Sequence, residues 1–353
     1  MAAPTENIKV TLGFLEKAES LRLSRKYFPS KVGGKPAWLS MKNIPNSDRL
    51  HCPNCGKVCI FLIQVYCPVA TLETCFHRTL FIFVCKDPSC HSQDTAGAAY
   101  WVLRSQLPRA NEFYNYEPPD EDNPVEDCGS GGLPLGDLCA VCGCHAGHRC
   151  SRCHESYCCR EHQKIDWKSG HKAKCGVKGS TSNGDNGILF PEFELVTEPE
   201  DYDQPDEEKE SGATEHQETK ETTEDNEELD VEELEKMALG ESQDDRKFAK
   251  FKKRIQHEPD QVIRYERGGQ PLLISREKRP QKSQIPPCGN CGSARQFEFQ
   301  IMPQLLIHLG VDSLENSIDW GTLIVYTCTK SCDKGPPYKQ EFLWKQDIVE
   351  TQK

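Results

Sequence analysis

The spacing of its twenty cysteines constrains this chain more than any other feature of the sequence. Many of them stand in Cys-x-x-Cys pairs. The first ten residues contain no apolar run of the kind that a secretory signal needs, and the longest apolar runs, Ile60–Tyr66 and Leu80–Cys85, are too short to span a bilayer. We therefore expect a soluble protein in a reducing, intracellular compartment, where paired cysteines indicate metal ligation rather than disulfides.

The most specific pattern is a cluster of eight metal-ligand residues in the middle of the chain. Its spacing is Cys-x2-Cys-x7-Cys-x2-Cys-x4-Cys-x3-His-x8-His-x3-Cys, formed by Cys139, Cys142, Cys150, Cys153, Cys158, His162, His171 and Cys175. Eight ligands fill two tetrahedral zinc sites and leave no open position for catalysis. The last His and Cys are four residues apart and share one helix face, with Trp167 one turn earlier and available to pack over the metals.

Two further cysteine groups flank this cluster and predict one zinc each. In both, a Cys-x-x-Cys pair leads into a strand and a second pair follows a later strand, as in a zinc ribbon. The expected ligands are Cys52, Cys55, Cys85 and Cys90 in the first group, and Cys288, Cys291, Cys328 and Cys332 in the second. With the central cluster, the chain should hold about four zinc ions.

Alternatives remain open for several of these side chains. Any flanking cysteine can instead be a small buried apolar residue. Possible substitute ligands in the first group are His51, His77 and His91. The cysteines left without a role, either reactive thiols or core residues, are Cys59, Cys67, Cys75, Cys128, Cys144 and Cys159.

The flanking groups belong to an internal duplication. In each half a Gly-Gly-x-Pro motif precedes the first Cys by 17 or 18 residues, and a Gln, Gln64 or Gln300, lies nine residues after the second Cys. The duplication also matches Val102–Gln106 with Phe342–Gln346. We expect the paired glycines to supply positive-φ turn positions; the alternative is a peptide-binding loop with Trp38 as its aromatic anchor.

The periodicity of apolar residues predicts β-rich halves and one helix. Phe297, Phe299 and Ile301 alternate with polar residues, which is typical of a half-buried strand. The other expected elements are buried strands at Ile60–Val65 and Leu323–Tyr326, a strand within Ile188–Val196, and a helix over Asp244–His257 with Phe248, Phe251 and Ile255 on one face.

An acidic segment separates the central cluster from the second half. Residues 198–245 contain 22 Asp and Glu against three Lys, a net charge of −19, so the remainder of the chain carries +7. Such a composition predicts a disordered linker, in which Glu227–Leu239 can form a weakly apolar helix face against a partner.

These observations give a mainly β fold with small α+β zinc modules: two zinc-ribbon-like modules pair into one pseudo-symmetric body, with an inserted zinc finger and an acidic linker. The predicted divisions are an N-terminal zinc β-module over 1–117, the finger over 135–178, a connecting strand in 179–197, the linker over 198–245 and a C-terminal zinc β-module over 246–353.

The central cluster resembles a MYND finger, with Tyr157, Gln163 and Trp167 in the expected places. The chain as a whole resembles the programmed cell death protein 2 family, in its finger, its flanking Cys pairs, and the segments Lys31–Leu39, Gln106–Arg109, Phe113–Pro119, Leu189–Glu194 and Ile318–Gly321. The finger resemblance implies interleaved ligand pairs: Cys139, Cys142, Cys158 and His162 on one zinc, and Cys150, Cys153, His171 and Cys175 on the other. The sequence departs from the family pattern at Cys159, because Ser is common at the position after the fifth ligand of the finger.

The family resemblance implies a nuclear and cytoplasmic protein linked to cell proliferation, haematopoiesis and apoptosis. It also implies a dedicated chaperone for a basic small-subunit ribosomal protein, S-two in eukaryotic naming, during ribosome biogenesis. The alternative it implies is a nuclear transcriptional regulator whose finger binds DNA, corepressors or proline-containing peptides.

The residues themselves argue against catalysis and weakly against DNA. The sequence has no P-loop, dinucleotide glycine motif, Gly-x-Ser-x-Gly or His-Glu-x-x-His, so we do not expect an enzyme. The finger carries eight Lys and Arg against four acids, a modest patch that favours a solvated face over DNA contact. A protein-binding role fits best, since paired β-modules offer edges and grooves.

Overall fold

The computed structural model describes residues 10–91, 98–120, 138–177, 187–201, 243–311 and 317–347. Strands dominate it. They are β1 (Thr11–Glu16), β2 (Lys31–Val32), β3 (Ile60–Tyr66), β4 (His77–Val84), β5 (Tyr100–Leu107), β6 (His148–Arg149), β7 (Ser156–Tyr157), β8 (Phe193–Pro199), β9 (Ile263–Tyr265), β10 (Arg295–Ile301), β11 (Thr322–Cys328), β12 (Lys339–Gln340) and β13 (Phe342–Gln346). The α-helices are α1 (Arg160–Asp166), α2 (Lys172–Lys174), α3 (Gln243–Ile255) and α4 (Leu305–Leu309). None of the helices described has the length and apolar composition required to cross a membrane.

Eleven of the strands form one sheet, in the order β12-β5-β4-β3-β2-β8-β1-β9-β10-β11-β13. Only Glu341 separates β12, at one end of this order, from β13, at the other, and its backbone N–H donates to the carbonyl of Val102. The segment 339–346 therefore contacts both ends, and the sheet nearly closes on itself. This confirms the mainly β fold.

The duplication is visible in the strand register. In the first repeat Gln64 of β3 pairs with Phe81 of β4, and in the second Gln300 of β10 pairs with Ile324 of β11. Each hairpin has a β-bulge at the corresponding place, two residues before the repeated Gln. The two repeats thus share both their pairing and their irregularity.

The last strand departs from the expected correspondence by one residue. Phe81 pairs with Leu103, whereas Ile324 pairs with Trp344, so Trp344 takes the place of Leu103. The internal duplication, which aligns Val102–Gln106 with Phe342–Gln346, instead matches Leu103 with Leu343. Strand pairing, rather than local sequence likeness, sets the register.

The repeated Gln and the repeated Gly-Gly-x-Pro motif bind each other. Gln64 Oε1 accepts a hydrogen bond from the backbone N–H of Ala37 at 2.9 Å, and Gln300 Oε1 accepts one from Leu272 at 2.6 Å; both donors directly follow the Pro of the motif. This pairing explains why both features recur together, and it supports the structural role of the motif.

Three of the four motif glycines have the expected backbone conformation. Gly33, Gly34 and Gly268 have φ values of 65°, 64° and 83°. Gly269 is not among the positive-φ glycines, so the expectation was wrong there. An added Cβ there would lie 2.0 Å from the carboxyl carbon of Glu266, so that flexible side chain would have to move to admit it.

The alternating strand β10 is buried on both faces, contrary to the half-buried pattern expected. Glu298 and Gln300 are 0% and 1% exposed. The face expected to meet solvent is covered by the N-terminal repeat, where Arg78 of β4 donates to Glu298 Oε1 at 2.7 Å. A second buried pair, Arg104 with Glu341, joins the repeats in the same way.

The acidic segment begins at the end of β8 and ends in helix α3, and these two elements lie close together. Strand β8 confirms the returning strand, and helix α3 confirms the expected helix, with Phe251 and Ile255 buried. Glu200, just after β8, forms ion pairs with Arg254 of α3 and Arg264 of β9. Both ends of the 198–245 segment therefore lie in or beside regular elements. Residues 202–242, including Glu227–Leu239, lie outside the described residues.

Candidate metal centres

Four groups of side chains bring their sulfur and nitrogen atoms within 4.8 Å of one another in the described part of the chain. They are Cys52, Cys55, Cys85 and Cys90; Cys139, Cys142, Cys158 and His162; Cys150, Cys153, His171 and Cys175; and Cys288, Cys291, Cys328 and Cys332. Each group has the membership expected from the sequence and the finger resemblance. Each has four ligand atoms, mostly buried, and can hold one metal ion.

The distances within the groups fit a tetrahedral metal better than disulfides. The Sγ atoms of Cys55 and Cys85 are 3.6 Å apart, and those of Cys288 and Cys332 are 3.7 Å apart. A disulfide would bring sulfurs to about 2.05 Å. Four sulfurs at about 2.3 Å from a central zinc would lie about 3.8 Å from one another, close to what is seen. Thiolate and imidazole ligands in this arrangement suit zinc.

The finger's histidines face the sulfurs through different ring nitrogens. His162 Nδ1 lies 3.1 Å from Cys158 Sγ and 3.7 Å from Cys139 Sγ. His171 instead presents Nε2, 3.3 Å from Cys153 Sγ. These separations bracket the roughly 3.6 Å expected between N and S ligands of one zinc.

One backbone turn recurs at the first cysteine pair of each group. In the C-terminal group the N–H of Gly292 donates to the carbonyl of Cys288, and the N–H of Cys288 donates to that of Ser293, both at 2.8 Å. The residue after the second Cys has positive φ in all four turns: Gly56, Gly143 and Gly292 at 71°, and His154 at 63°. The turn directs both sulfurs toward one point, and it accounts for the glycine after three of the four pairs.

The electrostatics of the groups favour a bound cation. Hydrogen bonds from the hydroxyl and N–H of Ser293 lower the pKa of Cys291 to about 6. Burial and the neighbouring thiols raise the pKa of Cys332 to about 12. One thiol of this group thus favours the thiolate, and a divalent cation would offset the repulsion that disfavours the others.

The finger's second site has a supporting residue that the sequence did not reveal. Asp166 is buried, accepts a hydrogen bond from Tyr157 at 2.6 Å, and lies 3.6 Å from Nδ1 of His171. A carboxylate at the far nitrogen of a metal-binding His fixes its orientation. Trp167 contacts His171, with ring centres 5.7 Å apart, but stays 39% exposed.

The departure at Cys159 has a local role. Cys159 is the N-cap of α1, and its Sγ accepts the N–H of His162 at 3.4 Å. A Ser at this position would make the same contact with a stronger acceptor. The thiol therefore replaces a capping hydroxyl.

The other unassigned cysteines and the alternative histidines are not members of the four groups. The cysteines Cys59, Cys67, Cys75 and Cys144 are buried, whereas Cys128 lies outside the described residues. Burial raises the pKa of Cys67 to about 12, which favours the protonated thiol. The rings of His51, His77 and His91 belong to none of the groups.

The finger is packed against the N-terminal repeat. Trp38, 1% exposed, donates from Nε1 to the carbonyl of Gly143 at 2.7 Å, and Ser47 donates to that of Cys158 at 3.1 Å. An added Cβ at Gly143 would lie 2.9 Å from Lys35. Trp38 is thus an internal contact of the two modules and not an exposed anchor for a peptide.

Comparison with known proteins gives matches over most of the chain. Residues 9–121 match the family model for programmed cell death protein 2, N-terminal domain, and residues 245–352 match the C-terminal putative domain of the same protein. A Bos taurus protein named programmed cell death protein 2 is 48% identical over 345 residues, covering 96% of each chain. Programmed cell death protein 2-like of Gallus gallus is 30% identical, covering 86% of this chain and 88% of the relative.

A shorter match reaches a protein of Schizosaccharomyces pombe named probable 20S rRNA accumulation protein 4. It is 39% identical over 104 residues, which cover 27% of this chain and 25% of that protein. No solved structure shows significant similarity.

Proposed function

The chain belongs to the programmed cell death protein 2 family, and from this membership we propose that it is a zinc-dependent, protein-binding chaperone for a basic small-subunit ribosomal protein, S-two in eukaryotic naming. The observation that carries the ribosomal part is the likeness to a relative named for the accumulation of 20S rRNA. The name of that relative supports a role of this chain in ribosome biogenesis, and with it in cell proliferation.

The proposal of a binding role, rather than an enzymatic one, is supported by the composition of the metal groups. Each offers four protein ligands, which complete a tetrahedron and leave no position for a reacting water. When bound, zinc would stabilise the turns that carry its ligands. We therefore propose that all four sites are structural.

Charge supports a basic client. The 198–245 segment carries a net −19, and its two ends are held beside the sheet by the ion pairs of Glu200. A concentrated negative charge tethered to a binding surface attracts and screens a basic protein. Ribosomal proteins, which bind RNA, are of this kind.

The partner is tested by affinity purification of the full chain from dividing cells at moderate salt, followed by mass spectrometry. We expect a small-subunit ribosomal protein as the main partner, in both cytoplasm and nucleus. Recovery of corepressors or chromatin without ribosomal proteins would overturn the proposal in favour of the transcriptional alternative.

The acidic segment is tested by replacing residues 202–242 with a neutral linker of equal length, which leaves β8, Glu200 and α3 intact. We expect the client to bind more weakly and precipitate at low salt, because exposed charges act within a Debye length of about 8 Å at physiological salt. Wild-type protein at high salt should show the same loss of affinity. If the neutral linker keeps the client bound and soluble, the segment is only a tether.

A further inference from the structure

Both repeats carry a surface pocket at the same position of their folds. His77 lies four residues before Phe81, and Trp320 lies four residues before Ile324, the two residues that pair with the repeated Gln. His77 and the preceding Phe76 line a pocket of about 630 Å³. Trp320 and the preceding Asp319 line one of about 520 Å³. The duplication has therefore produced two versions of one site.

The C-terminal pocket shows what this site accommodates. Its outer wall is helix α3, whose Phe251 and Ile255 are 4% and 8% exposed and pack with Met302. The rest of the helix is basic, with six Lys and Arg against two Asp between 243 and 255. An amphipathic, cationic helix with apolar anchors at i and i+4 thus fills one side of the pocket.

The N-terminal pocket has no such helix among its described lining residues. Phe28 stacks on His77 with ring centres 4.2 Å apart and has a left-handed φ of 49°, which is strained for a bulky residue and is typical of functional sites. Phe76 and Tyr116 remain 36% and 59% exposed. Aromatic faces in a cleft of this size are a favourable site for apolar or cationic side chains.

Charge around the N-terminal pocket favours a basic ligand. Lys26 and Arg109 in the lining are balanced by Glu117 and Asp120. Arg109 is already engaged, 3.7 Å from the ring centre of Tyr116, whose carbonyl accepts its Nε–H at 3.0 Å. The sequence 110–148, which continues from the pocket, contains eight Asp and Glu and no Lys or Arg.

We propose that the N-terminal pocket binds a basic, amphipathic segment of the client protein, which places apolar anchors against Phe76 and Tyr116 as α3 does in the other repeat. This inference rests on the proposed chaperone function. It assigns the specific contact to the N-terminal repeat and the screening to the acidic segment.

The first test uses a fluorescent peptide with the sequence of Gln243–Ile255 and the full-length protein, in which α3 already forms one wall of the C-terminal pocket. We expect binding that weakens at least tenfold in Phe76→Ala and Tyr116→Ala, and in a peptide with the anchors corresponding to Phe251 and Ile255 replaced by Ala. The control variant is Ile307→Ala, which removes a side chain that is 67% exposed elsewhere. Because all three positions are exposed, unchanged thermal unfolding should verify that the variants fold.

Absence of peptide binding, or equal binding by the pocket variants, would overturn the inference. So would a dimer of the full chain that dissociates in Tyr116→Ala, since the occupant would then be α3 of a second copy. The second test measures purified ribosomal protein S-two. If the wild type binds it and the pocket variants bind at least tenfold more weakly, with Ile307→Ala unaffected, the inference stands.

If the pocket variants bind the ribosomal protein as tightly as the wild type, the inference fails while the proposed function survives. If the wild type binds the peptide but not the ribosomal protein, the proposed function and its client are overturned. The N-terminal pocket is then still a site for basic, amphipathic segments. The two failures are therefore distinguishable.

Discussion

At the scale of single residues, the turn after each Cys-x-x-Cys pair depends on one backbone conformation. Gly292 has φ of 71°, yet an added Cβ there would meet nothing within 4 Å. The glycine is therefore required by backbone energetics and not by space, and the cost of a side chain can be measured without a steric contribution.

We expect Gly292→Ala to lower the free energy of unfolding by about 1 kcal/mol, because a left-handed alanine costs about 1–2 kcal/mol and the stiffer unfolded chain returns part of it. Denaturant unfolding measures the difference. Gly289→Ala is the matched control, since Gly289 has equal space in the same turn without a positive φ. Equal effects of the two substitutions would contradict the assignment.

A second residue-level feature is the buried ion pair between the repeats. Burial acts to raise the pKa of Glu298, but Arg78 opposite it outweighs this and holds that pKa below its usual range. Both side chains are fully buried. Removing Arg78 should therefore leave Glu298 buried and charged, with the longer contact to Arg267, at 3.4 Å, as its remaining ion pair among the described residues.

We expect Arg78→Met alone to destabilise the protein by about 3–5 kcal/mol and the double variant Arg78→Met, Glu298→Gln to cost clearly less than the sum of the two single changes. A double-mutant cycle by denaturant unfolding gives the coupling. Additive effects would show that the pair does not join the repeats energetically.

At the scale of elements, the metal groups define which parts of the chain should lose their structure together when a ligand is removed. The two finger groups interleave along the sequence, so loss of one should disturb the other, whereas the C-terminal group lies in a separate hairpin. The finger also shares buried contacts with Trp38. Unfolding of the finger should therefore destabilise the part of the N-terminal repeat around Trp38.

We expect purified protein to contain about four zinc ions, falling to about two in Cys139→Ser and about three in Cys288→Ser, because structural zinc and local folding are coupled. Elemental analysis and hydrogen exchange near Trp38 are the measurements. Cys144→Ala, a buried finger cysteine outside both groups, should keep all four. A reproducible two zinc ions in the wild type would remove both ribbon sites.

At the scale of the whole molecule, one sheet makes the two repeats interdependent. Strand β8 lies between β2 and β1, and β1 pairs with β9 of the second half. A fragment ending before β8 would leave both β1 and β2 with an unpaired edge. Cleavage between 201 and 243 leaves the described sheet complete.

We expect fragments 1–201 and 243–353, produced in the same cell, to co-purify and elute as one species in size-exclusion chromatography. Shortening the first fragment to 1–192 removes β8 and should reduce association strongly, because its hydrogen bonds connect the two sides of the sheet. Two soluble fragments that elute separately would contradict a single shared body.

The sequence by itself determined the features that depend on local chemistry and spacing. The sixteen expected ligands fall into the groups proposed. The Cys-x-x-Cys and four-residue spacings bring neighbouring ligands together in pairs, whereas the interleaving of the finger's pairs is implied by its resemblance to MYND fingers. The repeated Gln could also be read directly, since it lies nine residues after the second Cys in both halves.

Only the tertiary structure decided which strand faces meet solvent and which residues cross between modules. The polar face of β10 looked solvated because alternation reports one buried face, yet Arg78 comes from 220 positions away to cover and neutralise Glu298. The pairing of Trp344, the burial of Trp38 and the support of His171 by Asp166 likewise depend on contacts that no local pattern encodes. Long-range packing supplied these, because the free energy of burying a polar side chain depends on its partner and not on its neighbours in sequence.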